Sequence, residues 1–243
     1  AAWEAIDYIN QTGCNRLMPG KTVEEYSKIF YNKDIMASDE AIFYQTKRNG
    51  IRAKSEWNAN FIPNSMCASN VHCASPTQNM VDMFEMADGR AIKDAGADYD
   101  DQNPYVNRDP RFYASVYYNG AIRYLDQPNG DVVETYVGGN CGISDKVTDI
   151  RYTRTGYYMR KFNNFKSGIG QDADGLMRIF RLAELYLNFA EAAYQAVGPD
   201  GQVASKVGAE ALSARDAVNK IRVRAGIPAL SCTSYQRQNG RFN

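Results

Sequence analysis

The sequence predicts a mainly α fold: tetratricopeptide-like helical hairpins carrying a large loop-rich, partly β-irregular insertion. Three observations carry this reading. Amphipathic helical periodicity dominates the last third, a helical segment opens the chain, and the middle is broken repeatedly by Asn, Asp, Gly and Pro. The scaffold helices are expected near residues 2–32 and 176–226, and the insertion at 39–170.

In chain order, Trp3 to Ile9 reads as the body of a helix with no capping residue before it. The polar stretch Ser234 to Asn243 reads as a tail without helical or strand periodicity. The sequence is therefore expected to be an internal or C-terminal piece of a longer protein. Thr22 and Glu25 make a capping-box pattern ahead of Tyr26, Ile29 and Phe30. Asp39 to Thr46 holds an apolar run of strand length, and Asn58 to Thr77 turns to loop composition. A short helix is expected from Met80 to Met86, closed at Asp88 and Gly89, with a loop from Ala95 to Asn107. Tyr113, Val116, Tyr117 and Tyr118 lead to a turn at Asn119 and Gly120, and strand-like pieces follow as far as Phe165.

Two antiparallel helices are expected at Leu176 to Val197 and Ala204 to Ala225. In the first, Leu182, Leu185, Tyr186, Phe189 and Ala193 form the apolar face, and Arg181, Glu184, Asn188 and Glu191 a polar stripe. In the second, Val207, Ala211, Ala214, Val218, Ile221 and Ala225 repeat at intervals of three and four, ended by Gly226 and Pro228. One such hairpin cannot bury both faces and must pack on further helices, Trp3 to Ile9 among them.

The chain has 28 basic and 28 acidic residues among 243, so its formal charge is zero, which argues against the concentrated basic surplus of a nucleic-acid binder. No apolar run approaches the length of a membrane-spanning helix. Five cysteines and the single histidine, His72, lack the spacing of a zinc site. Cys67 and Cys73 lie close enough in sequence to staple the loop between Pro63 and Pro76, or to remain two free thiols.

Enzyme motifs are mostly missing: there is no G-x-S-x-G elbow, no Walker loop and no H-E-x-x-H. Gly168, Gly170 and Ala173 match a dinucleotide fingerprint, but no buried strand precedes them and Asp172 and Asp174 put negative charge where a pyrophosphate would sit. With Gly175 the same acids resemble the start of a calcium loop that lacks the remaining ligands. The acids from Asp94 to Asp101 could be solvated loop residues, a calcium site or a hydrolytic carboxylate pair. No cofactor is expected, with calcium left open. Aromatic residues are 12% of the chain, and many sit among Asn, Arg and Asp, a pairing that suits the C–H faces and hydroxyls of sugars.

Five segments, in order, carry a family resemblance: SPTQNMVDMFEMADG from Ser75, NRDPRFYASVYYNG from Asn107, TGYYMRKF from Thr155, RIFRLAELYLNFAEAA from Arg178 and AVNKIRVRAGIP from Ala217. Together they resemble the SusD/RagB family of nutrient-binding outer-membrane lipoproteins of Bacteroidetes. The resemblance implies a tetratricopeptide-like scaffold with an irregular glycan-binding part. It also implies a lipid-anchored position at the cell surface and a SusC-like TonB-dependent transporter as partner. The family's lipobox cysteine, N-terminal half and closing helix have no counterpart in this sequence. Arg108 to Arg111 look suited to fixing a turn and helix start, and Arg181 with Glu184 to helix pairing.

In the family, loops ahead of the PTQ-type motif often contribute to the sugar site, and Trp57 begins such a loop before Pro76, Thr77 and Gln78. The resemblance thus implies Trp57 or Phe61 as a stacking face, with Asn58 and Asn60 bonding hydroxyls; a core tryptophan closing the loop is the alternative. Non-catalytic glycan binding is the leading reading, against a helical-repeat adaptor without glycan affinity or a glycoside hydrolase. If Cys67 and Cys73 are bridged, the intact mass of protein prepared under oxidising conditions rises by two hydrogens on reduction, and their Cα atoms lie within about 7 Å. An unchanged mass rejects the staple.

Overall fold

The computed structural model describes residues 1–31, 40–45, 74–123, 132–142, 152–161, 177–206 and 211–231. Among these, six helices and four short strands are formed. The helices are α1 (Ala2–Thr12), α2 (Val23–Tyr31), α3 (Gln78–Asp82), α4 (Pro110–Ser115), α5 (Leu182–Val197) and α6 (Ala214–Arg224). The strands are β1 (Ala41–Gln45), β2 (Val116–Tyr117), β3 (Tyr158–Met159) and β4 (Met177–Arg181). They make two antiparallel pairs, β1 with β4 and β2 with β3. Among the described residues, no helix is long and apolar enough to cross a membrane.

The main core joins α1, α5 and α6. Ile6 and Ile9 from α1 meet Leu182, Leu185, Tyr186, Phe189 and Ala193 from α5, and Ala214, Ala217 and Ile221 close the other side. Trp3 stacks obliquely on Phe189, with ring centroids 4.9 Å apart. The apolar face read for α5 is thus the buried one, while Glu184, Asn188 and Glu191 face solvent. Gly13 ends α1 in the left-handed conformation, φ 63°, where its N–H donates to the Ile9 carbonyl at 2.8 Å, a geometry disfavoured for residues with a Cβ. The expected capping box opens α2: Thr22 Oγ1 accepts from the Glu25 N–H, and the Glu25 carboxylate accepts from the Thr22 N–H.

Both hairpin helices are shorter than their periodicity predicts. Residues 177–181, expected in the first helix, pair with β1 as strand β4, from Ala41 opposite Arg181 to Gln45 opposite Met177. Helix α5 starts only at Leu182, after Arg181 in extended conformation. The second helix begins at Ala214 rather than Ala204. Ser213 caps it by accepting from the Asp216 N–H at 3.1 Å, with Asp216 returning the bond, and Val203 and Leu212 bridge as antiparallel backbone before it. Ala211 is exposed outside the helix, and Val207 lies outside the described residues. The connection is held by Arg215, whose Nε and Nη2 bond both Asp200 oxygens at 2.6 and 2.9 Å.

The helix expected from Met80 to Met86 spans Gln78–Asp82. Its end has a physical cause: the carbonyls of Val81 and Phe84 accept from the buried Arg108 guanidinium at 2.9 and 3.0 Å, so Arg108 supplies donors that a longer helix would take from its own backbone. Tyr113 lies in α4 and Val116 and Tyr117 form β2, ahead of the expected turn at Asn119 and Gly120. Arg181, expected to pair with Glu184 on one helix, ends β4 and pairs with Glu40 ahead of β1.

Leu185 and Phe189 are 7% and 3% exposed in the three-helix core. Leu185→Ala or Phe189→Ala should cost about 2 to 5 kcal/mol in denaturant unfolding. Native-like midpoints would show that the helices are held together by other contacts.

Candidate functional site

Three of the motif segments form one wall system. Thr77 caps α3, its Oγ1 accepting from the Met80 N–H at 3.3 Å. The segment before it is tied to 153–157: Thr155 Oγ1 donates to the Pro76 carbonyl at 2.6 Å, and the Tyr157 hydroxyl donates to Gln78 Oε1 at 3.0 Å. Thr153, fully buried, organises that loop by accepting from the Thr155 and Tyr157 N–H groups while donating to the Tyr157 carbonyl. The Tyr158 hydroxyl donates to the Cys141 carbonyl at 2.9 Å, which brings in the turn-rich 132–142 segment.

Opposite stands Asn107 to Tyr113. Arg108 donates to the Pro104, Val81 and Phe84 carbonyls, and its guanidinium lies 5.0 Å from the centroid of Phe112. Asp109 caps α4 through the Arg111 N–H, and Pro110 occupies the first turn, where a missing N–H costs nothing. The Arg111 side chain returns to the same carboxylate, with Nη2 at 2.6 Å and Nε at 2.8 Å. Burial pushes the Arg111 pKa down, but the hydrogen bonds and charge of Asp109 outweigh it and the net direction is up. The part expected of Arg108 to Arg111, fixing a turn and a helix start, is what these bonds perform.

Between the two walls lies a groove of about 550 Å³. Met80, Met83 and Phe84 form one side, Tyr26 and Val116 line it from α2 and β2, and Ala74 to Pro76 lie along its rim. Its polar lining is Arg111, Lys161, Ser75 and Ser115. Met80 and Met83 are 50% and 78% exposed, so this methionine pair belongs to the surface. The Lys161 ammonium sits 4.4 Å from the Phe30 ring centroid, and its backbone N–H donates to the Ser115 carbonyl. Burial, with Arg181 adding repulsion, lowers the Lys161 pKa to about 8.

Sequence reasoning found these segments but not the groove. The short helix expected from Met80 gives no sign that Met80 and Met83 line an open groove; only the neighbouring walls show it. Trp57, Asn58, Asn60 and Phe61, with Cys67, Cys73 and His72, lie outside the described residues. The exposed Cys14 Sγ accepts from Thr12 Oγ1, and the buried Cys141 Sγ from Arg123 Nη2. Three of the acids of 94–101 accept hydrogen bonds from nearby groups: Asp94 from the Ala91 N–H, Asp98 from Asn107 Nδ2, and Asp100 from Asn103 Nδ2 and the Gln102 N–H. Those last two bonds hold the Asp100 carboxyl below the ordinary carboxylate range. Among the described residues, no three His, Cys, Asp or Glu side chains are grouped to hold a metal ion.

The SusD family model matches residues 39–243. Among solved structures, the chain is similar to a SusD-like protein of Bacteroides fragilis NCTC 9343, with 26% identity over 93% of this chain and 43% of that one and a TM-score of 0.63. It is similar also to a SusD-like carbohydrate-binding protein of the same strain, at 22% identity over 98% of this chain and 44% of that one, TM-score 0.61. A surface glycan-binding protein A from Bacteroides fluxus shares 20% identity over 98% and 43% of the two chains, TM-score 0.51. The chain spans less than half the length of each of these structures. No curated protein matches it. On the family match, which takes in all five motif segments, the chain belongs to the SusD family.

Proposed function

We propose that the protein binds oligosaccharides at the cell surface without turning them over. In its full form it would be lipid-anchored at the outer membrane and deliver them to a SusC-like TonB-dependent transporter. The observation that carries the reading is the groove between the family's own motif segments, with Tyr26 and Phe84 among its apolar walls and hydroxyl and cationic groups in its lining. Rings and methylene surface suit a sugar's C–H face, and polar groups around them suit its hydroxyls. The carbohydrate-binding and surface glycan-binding relatives support the same reading. The α1, α5 and α6 layer serves in it as part of a tetratricopeptide-like scaffold.

Trp57 and Phe61 are the stacking candidates of the loop whose sequence runs on to the groove's rim at Ala74, with Asn58 and Asn60 as hydroxyl partners. A glycan panel read for both affinity and reducing-end release tests the function. Binding without release is expected; product release would make the protein a hydrolase, and no affinity across the panel would leave a helical adaptor. With a bound glycan in hand, Trp57→Ala should weaken affinity about tenfold, the loss of roughly 1 to 2 kcal/mol of stacking. Unchanged affinity would remove Trp57 from the site.

A further inference from the structure

We infer that the groove seats an acyl substituent, so that the protein prefers O-acylated saccharides to their unsubstituted counterparts. The inference rests on the saccharide reading above and adds the substrate class. Its basis is the chemistry of the lining, where Met80, Met83, Met159 and Phe84 stand around a space of about 550 Å³, the size of a small-molecule site. Methionine is unbranched and polarizable, so it conforms to small apolar groups of varied shape. Met80 and Met83 keep half or more of their surface exposed beside this space.

Backbone carbonyls along the walls already have donors within the fold. Those of Val81 and Phe84, in the methionine wall, accept from Arg108. Along the rim, the Ala74 carbonyl accepts from the Met159 N–H and the Pro76 carbonyl from Thr155 Oγ1, while the Ser115 carbonyl accepts from the Arg160 and Lys161 N–H groups. The Arg111 guanidinium is paired with Asp109, and the Lys161 ammonium stands over the Phe30 ring. Both cations are thus engaged within the fold, and the other polar lining residues, Ser75, Ser115 and Tyr26, are neutral. A sugar hydroxyl pressed against such walls gives up water and gains few partners, which is costly. An acyl ester replaces the hydroxyl donor with a carbonyl acceptor and an alkyl end, and the alkyl end gains by leaving water.

The test uses tetrasaccharides of two backbones, xylan and mannan, each bare and as its O-acetyl, O-propionyl and O-butyryl ester, titrated into the full chain by calorimetry. In at least one backbone the acetyl ester should bind about fivefold or more tighter than the bare sugar, and each further methylene should tighten binding by up to about fourfold. A rise along that series separates apolar seating from a hydrogen bond to the ester carbonyl, which every ester would make alike. Met80→Ser or Met83→Ser, at side chains exposed outside the core, should cut the acetyl preference about threefold or more, whereas Met83→Leu should retain it. Val223→Ser, at an exposed position of α6, should leave the preference intact. Melting curves check that each variant folds. Equal affinities for bare and acylated sugars in both backbones, no binding of any ester, affinity that stays flat from acetyl to butyryl, or a preference unmoved by both serine variants overturns the inference. Bare glycans that still bind in those cases preserve the saccharide reading, whereas failure of the whole panel removes both.

Discussion

A carboxylate with no exposed surface is stable only when donors surround it, and Glu40 meets that demand by drawing on three other parts of the chain. Its Oε1 accepts from Arg181 at 2.6 Å; its Oε2 accepts from Arg224 at 2.6 Å and from the Met18 N–H at 3.0 Å. Its own carbonyl takes the first N–H of α5, from Leu182, at 2.9 Å. The connector between α1 and α2, the head of β1, the junction of β4 with α5 and the last turn of α6 therefore meet at one residue. Gly20 belongs to the same arrangement, since a Cβ there would stand 3.0 Å from the Arg224 stem. Arg181 and Arg224 lie over Phe30 and Tyr26, at 5.4 and 5.8 Å, which extends the junction to the α2 face that borders the groove.

A second ion pair repeats the device on a smaller scale. Arg222, two residues before Arg224, bonds Glu85 at 2.9 Å and the Pro228 carbonyl at 3.0 Å, while the Glu85 carbonyl accepts from the Asp109 N–H. One helix end thus fixes both the scaffold and the segment that carries the α3 wall. Arg222 and Arg224 sit in the last turn of α6, where positive charge also suits the helix dipole. The groove is held by arginines that reach backbone carbonyls and carboxylates far away in sequence, and half of its lining, Ala74 to Pro76, Met83, Phe84 and Lys161, lies outside helices and strands. That explains how a loop-rich middle can present a shaped surface.

Much of the scaffold was legible in the sequence. The apolar stripe of α5, the Thr22 and Glu25 cap and the Asp109–Pro110 helix start each follow from local rules that the structure obeys. Residues 177–181 were not legible as strand, because their partner, β1, lies far away in sequence and helical periodicity runs smoothly through them. The true start of α6 was written in the Ser213 and Asp216 cap, but the heptad-like spacing of Val207 and Ala211 pulled the reading upstream. Glu40 carried no signal at all: beside an apolar run, a lone glutamate reads as a solvated residue, and only the convergence of Arg181 and Arg224 makes it central. The same holds for Lys161, whose neighbours come from α2 and β4. The family was readable because its motifs include local clamps such as Asp109 with Arg111 and Thr77 with Met80, whereas a ligand site depends on which walls face each other.

The dependence of the fold on Glu40 is tested most directly by the denaturant unfolding of Glu40→Gln, with Glu4→Gln, which breaks an exposed pair with Lys206, as its control. Losing the buried charge while leaving Arg181 and Arg224 in place should lower stability by about 3 to 5 kcal/mol, or prevent folding outright. The control should unfold like the native chain. A Glu40→Gln variant that unfolds at the native midpoint would contradict the account and show that the junction holds without its central charge.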